Sequence, residues 1–430
     1  MFNQLIFKKN KLNFIFWTFL YRVLLDFCFY IYISPLWVKH NYGTYTYSQF
    51  NIFIYILSWF FLFVSLFYFY SWYDNNYQFS SLVLLFIYYI SFIPFTTMMG
   101  FSVFTLLYIV LNLLYFTFLK LFHWFFSSIK FSKIYYRSIN DNILPIITLL
   151  IVLGVSIYFG NYSNFRIDLN IFEAYTYREK AGSYSYPFYM TYLLGLSRIL
   201  IPFGIVYFIK TKRLIFLSII LISAAINYSF DGGKTLLLTS FVALIIGKFF
   251  NKKYLKLIPT SFFLLMFIGF IDYFFYSELL FRLVIRRLFF VPNLINSYFY
   301  KYILNHKPNY FSQLLRFLGI ESNSININYY IGDVYFNVPQ MSANSGLIAD
   351  ALWQLGYLGI FILPFIISFI LVFIDKTSSG VPEILLIIPA LVTAYYLNNS
   401  SITAAMFSHG ILVFSVLFIL YPKERSLYEA

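Results

Sequence analysis

The chain of 430 residues is 61% hydrophobic, 24% aromatic and only 11% charged, which excludes a water-soluble globule, because soluble domains are about a quarter charged. Its formal net charge of +14 would point to nucleic acid in a soluble protein. Here Lys and Arg fall in short segments between apolar runs, so they read as topology signals and argue against a nucleic-acid partner. The one cysteine, Cys28, lies inside the first apolar run, ruling out an intramolecular disulfide and a cysteine-based metal site.

A helical crossing of a hydrocarbon core about 30 Å thick takes roughly 20 apolar residues. Such runs fall at 12–33, 50–70, 79–98, 102–126, 143–160, 187–209, 214–230, 235–250, 257–276, 346–374, 383–398 and 402–421. They predict an all-α polytopic membrane protein with about twelve transmembrane helices, one integral membrane domain over 1–430. The eighth and eleventh runs are short for a full crossing, and the third, broken by Pro94, reads as either a span or a re-entrant segment. The first run follows Lys8, Lys9 and Lys11, is too long for a signal-peptide core and lacks a small-residue cleavage site, so it is expected to stay as an anchor.

With the N-terminus inside, alternation gathers Lys120, Lys130, Lys133, Arg137, Lys210, Lys212, Arg213, Lys248, Lys252, Lys253, Lys256, Lys376, Lys423 and Arg425 on the same side as the N-terminal lysines. The short outer segments keep Lys39, Arg166, Arg178, Lys180 and Lys234. This bias predicts both termini in the cytoplasm. Two outer segments are long enough to carry function, 161–186 and a large loop over 277–345. The large loop opens on an amphipathic helix, 277–290, with Arg282 and Arg286 four apart on one face and Pro292 expected to end it.

Ionisable residues at membrane depth mark pathways or sites. Arg22 and Asp26 are spaced to neutralise each other on one helix face. Arg198 has no acid within a turn, so it asks for a distant carboxylate or a phosphate. Asp231-Gly232-Gly233-Lys234 reads as a tight outer turn, with Lys234 opening the next helix either as an exposed lysine or as part of a phosphate-facing helix start.

In Arg282-Leu-Val-Ile-Arg286-Arg287-Leu-Phe-Phe-Val-Pro292, three guanidiniums beside aromatic surface suit a pyrophosphate headgroup, or equally an interfacial helix whose arginines snorkel to membrane lipids. Asp350 in an apolar helix either pairs with an arginine or acts as an acid or base, with Asp333 and His306 as looser candidates and Tyr335 beside them. No carboxylate or histidine cluster suggests a metal.

Arg198 followed by Pro202, the Gly232-Gly233-Lys234 turn, the Arg286 to Pro292 run, and Ile331-Gly332 leading to Ala343-Asn344-Ser-Gly346-Leu-Ile-Ala-Asp350 and Gly356-Tyr-Leu-Gly359 resemble, in order, bacterial O-antigen or capsule repeat-unit polymerases of the Wzy type. The likeness covers roughly 190–360. It implies a fold resembling lipid-donor (GT-C-like) glycosyltransferases in the bacterial inner membrane. The implied reaction moves the growing glycan from undecaprenyl pyrophosphate onto a new lipid-linked repeat unit on the periplasmic face, with no cofactor and with a chain-length regulator as a further partner. Under it, Asp350 would be the catalytic base and Arg286 and Arg287 catalytic cations, while Arg198, Lys234, Arg282, Asp333, Tyr335 and His306 would bind substrate.

Two rivals share this hydropathy. A lipid-linked oligosaccharide flippase would show two similar halves and lack the large loop, and an O-antigen ligase shares both the lipid donor and a basic outer loop.

Overall fold

The structure is a computed structural model, and it describes residues 2–42, 50–74, 78–129, 143–311, 326–338, 341–344 and 346–421. The expected inner cations Lys130, Lys133, Arg137, Lys423 and Arg425 lie outside the described residues, as do parts of the large loop. Among the described residues the chain is helical and has no strand.

In chain order the main helices are α1 (Asn10–His40), α2 (Ile52–Asp74), α3 (Phe79–Gly100), α4 (Leu106–Ser128), α5 (Ile143–Tyr162), α6 (Ala174–Ser183), α7 (Tyr189–Lys210), α8 (Leu214–Asp231), α9 (Lys234–Phe249), α10 (Lys252–Phe275), α11 (Val291–Ile303), α12 (Ile327–Phe336), α13 (Ile348–Thr377), α14 (Glu383–Asn399) and α15 (Ile402–Leu420). Ten helices among the described residues are long and apolar enough to cross a membrane, and the chain is an all-α polytopic membrane protein. The eighth and eleventh runs form α9 and α14, helices of 16 and 17 residues, each about 25 Å long and so shorter than the hydrocarbon core.

Prolines shape three of these helices in the same way. π-helical segments occupy Phe29–Ile33, Tyr88–Phe92 and Phe281–Phe290, and each ends two residues before a proline: Pro35, Pro94 and Pro292. A proline inside a helix lacks the N–H that the ladder needs, and its ring collides with the carbonyl four residues back. Widening the preceding turn to i→i+5 bonds removes that conflict. Pro94 therefore leaves α3 a continuous 22-residue helix, long and apolar enough to cross a membrane and buried along its whole length. Pro292 likewise does not end the amphipathic helix, because it stands in the first turn of α11, which continues directly from Phe281–Phe290.

The chain forms two compact units, one of 1–129, 253–372 and 394–402, the other of 130–252, 373–393 and 403–430. In the first, Arg22 is wholly buried and is satisfied by Asp26 at 3.0 Å, Thr97 Oγ1 at 2.8 Å, Ser58 Oγ at 3.1 Å and the Thr96 carbonyl at 3.1 Å. Tyr55 donates to the other Asp26 oxygen at 2.9 Å. Hydrogen bonds on both charged groups are what make such a buried pair tolerable in a low dielectric, and its role is to join α1, α2 and α3. The second unit packs Val155, Phe159, Met190, Leu194 and Phe230 into a core between α5, α7 and α8.

Candidate functional site

In the second unit, polar groups converge on the corner between α8 and α9. Gly232 turns the chain at φ +62, and a side chain there would strike the Ala174 backbone, so the turn is built for glycine. Asp231 Oδ1 accepts the Gly233 N–H at 2.8 Å, and Asp231 also pairs with Arg198 from α7. Of the two partners read for Arg198 from sequence, the distant carboxylate is present. The pair is not sealed, since the Arg198 side chain is 28% exposed. Lys234 opens α9, as expected, where the positive end of the helix dipole favours an anion.

The segment before α6 and α6 itself brace this corner. Arg166 donates to the Ser229 carbonyl at 2.9 Å and lies over the Tyr177 ring at 4.4 Å. Arg178 Nη2 contacts the Gly232 carbonyl at 3.4 Å. Asp168 receives the Tyr177 hydroxyl and the Asn170 N–H, and these hold its carboxyl below the usual range. The Ser229 hydroxyl bonds the Asp168 backbone at 2.7 Å, and the Tyr228 hydroxyl reaches the Asn170 carbonyl at 3.0 Å.

A residue that the sequence reading passed over completes the group. The last apolar run is interrupted: helix Ile402–Phe407 stops, Gly410 adopts φ +65, and a second helix, Ile411–Leu420, begins. His409 sits in that interruption, half-buried and within electrostatic reach of Arg198. Gly195, one turn before Arg198, lets α7 approach the Ser408 carbonyl closely. The signal available beforehand was Ser408-His409-Gly410 within an apolar run, since a helix breaker and an imidazole at membrane depth are seldom neutral features. The arrangement puts a guanidinium, its paired carboxylate and an imidazole about one broken span, with Lys234 at the start of the adjoining helix.

The other expected cations lie in the first unit. In the π-helical segment, Phe281, Ile285, Phe289 and Phe290 are buried, while Arg282 and Arg287 are exposed and Arg286 is half-buried. With i→i+5 winding, residues four and five ahead flank the face of the first, so Arg282, Arg286 and Arg287 share one face. The Nε of Arg286 is enclosed and has no hydrogen-bond partner among the described residues. Arg286, Arg282 and Glu278 all act electrostatically on Tyr32. Asp272 braces the start of the segment, accepting the Leu280 N–H at 2.8 Å and the Ser277 hydroxyl at 2.9 Å.

Asp333, Tyr335 and His306 stand elsewhere in that unit, Tyr335 against the second half of α11 and His306 just after its end. Asp333 is exposed. Tyr335 lies flat on Tyr298, centroids 4.4 Å apart. His306 lies flat on Tyr302 at 3.9 Å, with Nδ1 2.9 Å from the Tyr302 carbonyl. A carbonyl oxygen can only accept, so Nδ1 is the donor in that contact. Burial holds the Lys301 ammonium below its usual value, and its Nζ sits 5.5 Å from the Tyr298 centroid.

Asp350 is buried, and both its oxygens are taken: Oδ1 by Gln354 Nε2 at 3.1 Å, Oδ2 by the Ile402 N–H at 2.7 Å. Gln354 passes the linkage on, accepting the Phe311 N–H at 3.1 Å through its side chain. Gly346 accompanies this knot because any side chain would meet the Leu397 and Ser400 carbonyls. A carboxylate so engaged positions backbone. A general base must reach its proton directly or through one water. Among the described residues no group of three or more His, Cys, Asp or Glu is placed to hold a metal ion.

No protein-family model, curated protein or solved structure matches the chain significantly.

Proposed function

We propose that the protein is a polysaccharide polymerase of the Wzy type. It would act in the bacterial cytoplasmic membrane as a twelve-span protein of GT-C-like kind, both termini inside, transferring a growing glycan from undecaprenyl pyrophosphate to a lipid-linked repeat unit at the periplasmic face. The observation that carries the reading is the meeting of Arg198, paired with Asp231, and His409 at the interrupted last span, with Lys234 opening the helix that follows Asp231. In the transfer, an acceptor hydroxyl oxygen bonds to the donor's anomeric carbon while the bond from that carbon to the diphosphate oxygen breaks, and the electron pair leaves with the diphosphate. Arg198, with Lys234 at the start of α9, stabilises the departing charge, and the His409 imidazole accepts the hydroxyl proton. Asp350 moves from base to positioning residue.

The reaction has two carrier-lipid substrates, and the chain has two basic places, one in each unit. Arg282, Arg286 and Arg287 form the second, with the enclosed Arg286 Nε still lacking an acceptor, a condition buried polar groups rarely keep. Planar guanidinium forks match phosphate oxygens.

The test is deletion and complementation with gel analysis of surface polysaccharide, followed by transfer assays on purified variants. His409→Gln should lower elongation by about 100-fold or more and leave single repeats on the surface. A deletion strain whose surface carries no repeats would instead mark a ligase, and repeats trapped inside the cell a flippase.

A further inference from the structure

The thirteen residues of α11 span about 20 Å. At the near end the π-helical segment presents Arg282, Arg286 and Arg287. At the far end Tyr298, Tyr302 and His306 recur at four-residue spacing and so share one side of the chain. There Tyr335 stacks on Tyr298, His306 stacks on Tyr302 with only 2° between the planes, and Tyr330 stands at 68° to Tyr302. Trp353 backs the group, 5.8 Å from Tyr302.

The inner rings Tyr298, Tyr302 and Trp353 are buried. His306 is exposed, and Tyr330 and Tyr335 are half-buried, so one face of the His306 ring and the flank of Tyr330 make an open, right-angled corner. Among the described residues, Asn305, Lys307, Asn328 and Asp333 lie next to these rings in the chain or within a turn of them, each exposed or half-buried. Aromatic faces with amide and carboxylate groups at their rim suit a ligand that is apolar on its flat side and hydroxylated at its edge, which is a sugar ring. An acyl chain fits poorly because the rim is polar.

We propose that this corner binds the glycan of a lipid-linked oligosaccharide several sugars away from its diphosphate, which is held by the Arg282, Arg286 and Arg287 face at the other end of α11. The inference rests on the polymerase reading for the identity of the lipid carrier. The helix between the two places sets how many sugars separate them, so the corner engages long repeats and leaves truncated ones untouched.

The test uses the full chain in nanodiscs, with oligosaccharides released by mild acid from the source cell's own surface polysaccharide as the probe. Binding is read by saturation-transfer NMR, with inorganic pyrophosphate as a separate probe of the arginine face. Tyr330→Ala and Tyr335→Ala should each weaken oligosaccharide binding by about tenfold, while Tyr330→Phe and Tyr335→Phe, which keep the ring faces, should bind as wild type does. Pyrophosphate binding should be the same in all four and thereby report that they are folded. Wild-type protein that gives no saturation transfer to the oligosaccharides overturns the proposal without any variant, as do folded alanine variants that bind normally. Glycan binding that persists in a protein unable to elongate polymer would sink the polymerase reading and keep this one. Elongation without glycan binding would do the reverse.

Discussion

The backbone N–H of Ile402 donates to the Asp350 carboxylate at 2.7 Å, so a side chain at the start of α13 caps the start of α15. Gln354 holds the other oxygen and the Phe311 N–H, and three separate stretches of chain are thereby tied to one buried charge. A carboxylate accepting two N–H bonds contributes more than a neutral acceptor. Asp350→Asn turns one of those acceptors into a donor facing a donor, and should lower stability by about 2 kcal/mol. Thermal unfolding in detergent measures this. Transfer by the fraction that stays folded should be nearly normal, and a variant that melts like wild type yet transfers nothing would return the base role to Asp350.

Arg198 and Asp231 allow a cycle that separates architecture from chemistry. Arg198→Gln leaves a largely buried carboxylate without its cation and should destabilise by about 3 kcal/mol. Adding Asp231→Asn removes the stranded charge and should recover most of that loss. Elongation should not recover with it, because the donor diphosphate would still lack its guanidinium. Equal recovery of melting temperature and polymer length would reduce Arg198 to a structural cation.

The all-helical, many-span character of the chain and the local pairing of Arg22 with Asp26 were legible because each depends on residues near one another in sequence, whereas the expected twelve spans compare with ten helices of spanning length among the described residues. The ten long helices coincide with apolar runs, and the two runs noted as short are the short helices. What could not be read was which distant groups meet. Arg198 shows no acid within a turn, and its partner lies 33 positions on, across the α7–α8 connection. Asp350 looked like free chemistry because one of its partners, the distant Ile402, donates through a backbone N–H, which side-chain identity does not reveal, and the other is an uncharged amide, Gln354. His409 escaped notice inside a run scored for hydropathy alone. Pro292 was read as a stop because the i→i+5 winding that accommodates it depends on how Phe281, Ile285 and Phe289 pack.

Asp168 makes the corner at Gly232 sensitive to acid. Its carboxyl is held low by the Tyr177 hydroxyl first and the Asn170 N–H second. A depressed acid stabilises fully above its unfolded value, near about pH 3.9, and the contribution is lost as pH falls through the lower folded value. Amide exchange across 166–178 should therefore accelerate below about pH 4 before the apolar spans open, and Asp168→Asn should show the faster exchange already at neutral pH. Unchanged protection in the wild type down to the point where the spans themselves open would count against this anchor.

The winding of Phe281–Phe290 can be tested through Pro292. Alanine at 292 restores a backbone N–H and removes the ring, so the preceding turns are free to tighten to i→i+4 bonding. Tightening turns Arg287 away from the face it shares with Arg282 and Arg286, because in an α-helix positions five apart diverge. Pro292→Ala should leave melting temperature equal or higher, since an interior proline is costly for a helix. Pyrophosphate binding and polymer length should both fall. A spin-label scan through 281–290 reads the period directly, and a wild-type α period with an unimpaired Pro292→Ala variant would mean that the three guanidiniums do not act as one group.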